Sequence, residues 1–378
     1  MAEVKCRVAG IDAGFDAGPD SEFSMEVHDA GDAFISTTLT QSGCWEPFET
    51  EIVRRLLCAA PPGSSPLFVD CGANIGWYTV VAGLLGANVV ACEPMPANAA
   101  LLRRNVSHNG LSAHVQVHET ALGLTSGSAM LHLSPTNQGD HRLHAGMSLD
   151  PSKERATVSV SVRTLNEVLG GRRPTVIKLD TQGSEVAILS AGRSGWEPRV
   201  GLPDVVLVTE FWPYGLERCG SSASEFLGLV APLIATSHRC YEIVEHSRSL
   251  LSRSLDELVM VANSVGLSND VRGFVNLALV PLSLVPVIED LVEPVVLDVR
   301  GLGCGSVLVR LVALRRTLAV STKVAVWTDD AGAPEELPAW CRMTGQTYIG
   351  LRSSGQDVGA EQYVLILSPT HPTTKDPS

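Results

Sequence analysis

Between Pro66 and Val280, short runs of Val, Ile and Leu alternate with longer segments of helical period, and this alternation limits the chain to parallel strands joined by crossover helices. The runs predict strands at Leu67–Cys71, Asn88–Glu93, His114–His118, Thr175–Asp180, Asp204–Glu210, Cys240–Val244 and Phe274–Val280. The expected fold class is therefore α/β, with a doubly wound sheet of seven strands. Two further runs, Ala129–Leu133 and Thr157–Val162, read as half-exposed strands that bracket a polar insertion, Ser134–Arg155. An insertion of that length has the size of a lid or binding loop.

The pattern breaks after Pro281. Residues 281–293 read as a linker, and a second α/β unit is expected over 294–368, followed by a disordered tail at 369–378. Residues 1–280 then form the first domain, with an N-terminal extension, within a chain of 378 residues. With 41 acidic against 28 basic residues the net charge is −13, which disfavours a nucleic-acid partner. The most apolar stretch, Phe274–Val287, is broken by Asn276, Pro281 and Pro286, so no membrane span is expected. Nine cysteines without zinc-ligand spacing, and no secretory pattern at the start, suggest reduced thiols and a cytoplasmic location.

The first chemical motif runs Phe68-Val69-Asp70-Cys71-Gly72-Ala73-Asn74-Ile75-Gly76-Trp77-Tyr78-Thr79, a strand entering a glycine turn and then a helix. Gly72 and Gly76 let backbone approach a ligand, and Asp70 offers a carboxylate at the strand end. Glu93 ends the next strand, beside that turn, where a carboxylate can accept both hydroxyls of a ribose. No phosphate-binding Gly-Lys-Ser/Thr follows. Two acids without phosphate-binding equipment point to an adenosine ligand that lacks a pyrophosphate.

With Gly43-Cys44-Trp45-Glu46-Pro47, Glu93-Pro94, Ala121-Leu122-Gly123, Thr164-Leu165-Asn166 and Ile177-Lys178-Leu179-Asp180-Thr181-Gln182-Gly183-Ser184-Glu185, this segment resembles the FkbM family of class I, Rossmann-like methyltransferases over about residues 35–280. The resemblance implies S-adenosylmethionine (SAM) as cofactor and methyl transfer to an oxygen of a small-molecule acceptor, a sugar or natural-product hydroxyl of secondary metabolism. It implies cofactor contacts from Trp45, Glu46, Asp70, Gly72, Ala73 and Asn74. Further contacts fall on Gly76, Thr79, Glu93, Pro94, Thr120, Ala121 and Asp180. Asp180, at the end of the fourth strand, is the leading residue for orienting or deprotonating the acceptor, with Glu185 and Glu210 behind it. The family's usual Glu is Gln182 here and its usual Asp is Asn166, and both changes remove a carboxylate. No metal is expected: His141 and His144 form a His-x-x-His pair without a third ligand. Cys71 and Cys92 fall on core strands, as small buried hydrophobes.

In the second unit, Leu297-Asp298-Val299-Arg300-Gly301-Leu302-Gly303-Cys304-Gly305-Ser306 puts a cysteine where a strand gives way to a helix, a setting that favours the thiolate. This segment, with Trp327-Thr328-Asp329-Asp330 and Pro338-Ala339-Trp340-Cys341, is similar to the TusA/SirA sulfur-carrier family over about 294–368. The likeness implies two helices on a four-stranded sheet, a sulfur-carrying Cys304 and a sulfurtransferase or other sulfur-relay partner. An alternative function follows: a sulfur-trafficking protein whose first domain methylates a sulfur-containing acceptor. The family's Pro-x-Pro after the cysteine is replaced by Gly305, Ser306 and Val307.

Overall fold

The computed structural model describes residues 2–8, 22–29, 32, 34–61, 63–134, 137–143, 156–202, 204–265, 273–317, 322–352 and 361–367. His144, most of the polar insertion and the tail at 369–378 lie outside them. The chain divides into two compact units, Met1–Leu291 and Val292–Ser378.

The first unit begins with a hairpin, β1 (Ala2–Arg7) and β2 (Glu22–Val27), followed by α1 (Ile35–Ser42) and α2 (Pro47–Cys58). Then come β3 (Leu67–Cys71), α3 (Trp77–Leu84), β4 (Asn88–Cys92), α4 (Pro96–His108), β5 (Val115–His118), β6 (Ala121–Leu122), β7 (Gly127–His132) and β8 (Thr157–Arg163). The unit continues with α5 (Leu165–Leu169), β9 (Val176–Leu179), α6 (Glu185–Trp196), β10 (Val206–Phe211), α7 (Pro213–Arg218), α8 (Ala223–Thr236), β11 (His238–Val244), β12 (Ser249–Arg253), α9 (Leu255–Val265) and β13 (Val275–Pro281). The main sheet has the order β12-β11-β13-β10-β9-β3-β4-β5. Its centre is parallel: β3 pairs with β4 on one side and β9 on the other, while β13 lies antiparallel between β10 and β11. Every residue of β3, β9 and β10 is buried, which explains why these strands read as mainly apolar runs, broken only by Asp70, Lys178, Thr209 and Glu210. β3 is the switch point, since successive connections leave it in opposite directions, and such a point opens a crevice at the carboxyl ends of the strands.

The sheet has eight strands rather than the expected seven. The addition is β12, which pairs antiparallel with β11 across the turn at 245–248. Its sequence, Ser-Leu-Leu-Ser-Arg, has no alternation because both Ser249 and Leu250 are buried. The two half-exposed strands form, with β6, a separate three-stranded sheet. The stretch read as a linker from 281 packs largely on the first unit: Ile288 is fully buried, and the Arg55 guanidinium reaches Asp290 Oδ1 at 2.6 Å. Its prolines suit short 3₁₀ turns rather than an extended connection.

The N-terminal extension is bound into this unit by paired amides. Asn105 Nδ2 donates to the Glu26 carbonyl at 3.1 Å and Asn109 Nδ2 to that of Ser24 at 2.8 Å, so α4 carries the hairpin. Trp77 Nε1 donates to Thr50 Oγ1 at 2.9 Å, which fixes α2 to α3 and sets the first turn of α2 at the sheet.

The second unit comprises β14 (Val295–Asp298), α10 (Cys304–Thr317), β15 (Thr322–Thr328), α11 (Ala333–Thr344), β16 (Thr347–Arg352) and β17 (Glu361–Leu367). The sheet order is β14-β15-β17-β16, with only the first pair parallel. Leu311 and Leu337 from the helices meet Val324, Val326, Tyr363 and Leu365 in its core. Among the described residues, no helix of the chain is long and apolar enough to cross a membrane.

Candidate active site

The glycine turn is built by close approach. Gly72 has φ +86°, and a Cβ there would lie 2.0 Å from the Asp180 carbonyl oxygen. Only glycine lets the loop after β3 rest against the end of β9. The N–H groups of Gly72 and Ala73 both donate to the Cys92 carbonyl at 3.0 Å, which continues the β3–β4 pairing into the loop. Gly76, at φ +94°, caps α3 with its Cα against Leu102. Asp70 accepts from Thr79 Oγ1 at 2.6 Å and is 3% exposed; burial pushes its carboxyl up to about 6. The strand-end acid thus braces the turn from behind.

Glu93 closes the neighbouring strand. Its two oxygens accept from the N–H groups of Asn74 and Met95, each at 2.9 Å. Burial nevertheless pushes its carboxyl up to about 7. Asn74 Oδ1, at the same place, is buried without a partner among the described residues.

Beyond the turn stands a buried ion cluster. Lys178, on the fully buried β9, places Nζ 2.6 Å from Glu49 Oε1 and 3.8 Å from Asp180 Oδ2, and lies 4.8 Å above the Tyr78 ring. Asn276 Nδ2 donates to the other Glu49 oxygen at 2.8 Å. Tyr78 donates from its hydroxyl to Glu46 Oε2 at 2.8 Å. Burial raises the Glu46 carboxyl to about 8, with the Glu49 charge adding to the effect. Gln182, at φ 57°, bridges two more acids: its Nε2 donates to Asp180 Oδ1 at 2.9 Å and approaches Glu210 Oε2 at 3.4 Å. Glu210 is pushed well above the carboxylate range by burial and by the Asp180 charge.

These groups share a cavity of about 820 Å³, within the range of small-ligand sites. Trp45, Glu46, Gly72, Asn74, Glu93 and Pro94 line it, as do Thr120, Ala121, Asp180 and Glu210. Asp70, Ala73, Gly76 and Thr79 stand behind that wall and shape the turn. Glu185 is also outside it. It is the first residue of α6, and its Oε1 accepts from the N–H groups of Thr181 and Gly183 and from Thr181 Oγ1, so it holds the loop that carries Gln182. His141, on the wall, accepts from the Ser134 N–H at Nδ1. Among the described residues, no group of three or more His, Cys, Asp or Glu side chains is disposed to hold a metal ion.

Sequence reasoning missed Lys178, Glu49, Asn276 and Trp212. Lys178 had a signal, since a lysine inside an apolar strand must find an acid. Glu49 had none, because its partners come from β9, α3 and β13.

Residues 70–226 match the family model described as methyltransferase FkbM domain. The first unit carries an FkbM methyltransferase domain. The FkbM match spans the glycine turn, Glu93, Asp180 and Glu210, and the family implies SAM as cofactor. Residues 295–364 match the model of sulfurtransferase TusA, so a TusA domain follows the FkbM domain. Among solved structures, the chain is similar to precorrin-6y C5,15-methyltransferase from Geobacter metallireducens GS-15, at 12% identity, covering 61% of this chain and 87% of that one, with a TM-score of 0.29. It is also similar to a ribosomal protein L11 methylase from Lactobacillus delbrueckii subsp. bulgaricus, at 11% identity, covering 62% and 79%, with a TM-score of 0.29. No curated protein matches the chain.

Proposed function

We propose that the FkbM domain transfers a methyl group from SAM to a hydroxyl of a small molecule of the sugar or natural-product class, in the cytoplasm. The observation that carries this reading is the convergence of Gly72, Glu93 and Asp180 on one cavity. The residues fit the cofactor: the turn has no room for a Cβ at Gly72, Glu93 offers a carboxylate, and Asn74 Oδ1 is a buried acceptor without a donor among the described residues. Trp45, Pro94, Thr120 and Ala121 complete the wall on which it would lie. When bound, SAM supplies a methyl group on a cationic sulfur, open to attack by an oxygen.

The protein's own part is positioning and proton removal. Asp180 follows β9, the neighbour of β3 at the switch point, and its half-exposed carboxylate faces the cavity, in reach of an acceptor hydroxyl. Lys178 holds that carboxylate from behind, and Gln182 fixes its other oxygen. Trp212 and Leu143 help to shield the cavity from bulk water. Calorimetry with SAM tests the reading: the full chain should bind, and Glu93→Ala should weaken binding at least tenfold because the ribose hydroxyls lose their acceptor. Equal affinity in the two proteins would overturn it.

A second reading gives Cys304 a sulfur atom from a sulfurtransferase partner, for presentation to a sulfur-containing acceptor. Its place as the first residue of α10 favours this. Mass spectrometry after incubation with a cysteine desulfurase should then show a persulfide on Cys304, and its absence would leave the TusA domain a docking role.

A further inference from the structure

The wall of the FkbM cavity carries five carboxyl groups, Glu46, Glu93, Asp140, Asp180 and Glu210, and among the described residues no Lys or Arg. Two of the five are satisfied. Glu93 accepts two backbone N–H groups, and Asp140 is ion-paired with Arg142. Lys178 stands behind the wall, and its ammonium meets Glu49 at 2.6 Å before it reaches Asp180 at 3.8 Å. That leaves Glu46, Asp180 and Glu210: the neutral amide of Gln182 lies between Asp180 and Glu210, and the neutral hydroxyl of Tyr78 links Glu46 to Glu49. Burial, with repulsion from the neighbouring acids, drives Glu46 and Glu210 toward their protonated forms although Lys178 opposes it, so one lysine serves several crowded carboxyl groups.

An independent observation comes from Trp212, which lines the same cavity and is 2% exposed. Its indole N–H is buried with no partner among the described residues. The benzene edge of the ring packs on Gly215, where a Cβ would lie 1.9 Å from Cε3, and Arg142 stacks on the ring at 4.5 Å. A buried donor left unpaired is unfavourable, so this N–H calls for a ligand oxygen.

We infer that the acceptor of this site is an amino alcohol, its protonated amine held by Glu46 and Glu210 and its hydroxyl left to Asp180 and the Trp212 N–H. The inference rests on the methyltransferase reading and narrows it to one class of acceptor. A cation entering the corner restores ionised carboxylates and releases protons, whereas an anionic acceptor meets like charge without compensation.

Ligand-observed NMR on the full chain with S-adenosylhomocysteine tests it, using alcohols that carry an amine, an amide or a carboxylate on one skeleton. The amines should dominate the hits about tenfold, and calorimetry of the strongest in buffers of different ionisation enthalpy should show proton release near neutral pH. Glu210→Gln, which keeps the shape, should abolish the amine preference with SAM affinity and Tm retained. Neutral or carboxylate hits, no hits, or an unchanged preference in Glu210→Gln would overturn the inference. So would an amine preference that vanishes when SAM replaces S-adenosylhomocysteine, since the acids would then serve the cationic sulfur of the cofactor. Failure of SAM itself to bind would instead overturn the methyltransferase reading, a result visible in the calorimetry before any acceptor is added.

Discussion

Lys178 Nζ and Glu49 Oε1 lie 2.6 Å apart, with side chains 4% and 1% exposed, and together they join β9 to the first turn of α2. Removing one partner of a buried pair strands the other charge, at a cost of about 3–5 kcal/mol. Lys178→Met should therefore lower stability in urea by that amount. The double variant Lys178→Met, Glu49→Gln should recover a large part of it, because no buried charge is stranded. If the two variants are equally unstable, the lysine acts through packing rather than charge.

Asp180 should matter for turnover more than for binding. Asp180→Asn keeps the shape and the contact with Gln182 while removing the base, and the loss in kcat should be on the order of 10²–10⁴-fold. Release of S-adenosylhomocysteine with the true acceptor measures turnover, and calorimetry with SAM measures binding. Near-normal kcat would assign the proton to another group, and a collapse of SAM affinity would place Asp180 with the cofactor.

The Glu93 carboxyl sets a pH dependence of known sign. It titrates at about 7 in the fold against an ordinary 4.5, so between these pH values the native state holds a proton that the unfolded chain has lost. Its contribution to stability therefore falls as pH rises through that window. Glu93→Gln imitates the protonated form and lacks the titration. The difference in Tm, variant minus wild type, should grow from pH 5 to pH 8, as scanning calorimetry at each pH would show; a constant difference would mean that the carboxyl is not perturbed.

Cys304 should be the most reactive cysteine at mildly acidic pH. It opens α10, and a helix N-terminus favours a thiolate, whereas burial pushes Cys6, Cys92 and Cys240 up to about 12. Limited iodoacetamide followed by peptide mass spectrometry should label Cys304 ahead of the exposed Cys58. Labelling of Cys58 first would show that access outweighs the helix terminus.

The parallel centre of the sheet was legible because β3, β9 and β10 are buried along their whole length, so burial wrote itself into mainly apolar runs without alternation. Gly72 and Glu93 were legible because both follow from local rules, a turn that excludes Cβ and an acid at a strand end. What escaped depends on distant pairing. Glu49 looks like any first-turn acid until β9 brings Lys178 to it. Asp70 and Glu185 read as ligand-facing carboxylates, yet Thr79 turns one toward the loop, and the N–H groups of Thr181 and Gly183 turn the other. β12 escaped because a strand buried at successive residues loses the alternation that announces an edge.

Gln182 puts one amide between Asp180 and Glu210, and the arrangement has an evolutionary consequence. Glutamine and glutamate codons differ by a single first base. That one change would exchange a donor for an acceptor and leave three carboxylates around one point, the kind of oxygen-rich nest that hard divalent cations occupy. A pocket in which an amide bridges two carboxylates and one that gathers three carboxylates are thus neighbours in mutational space, and the nitrogen of Gln182 keeps this chain at the first.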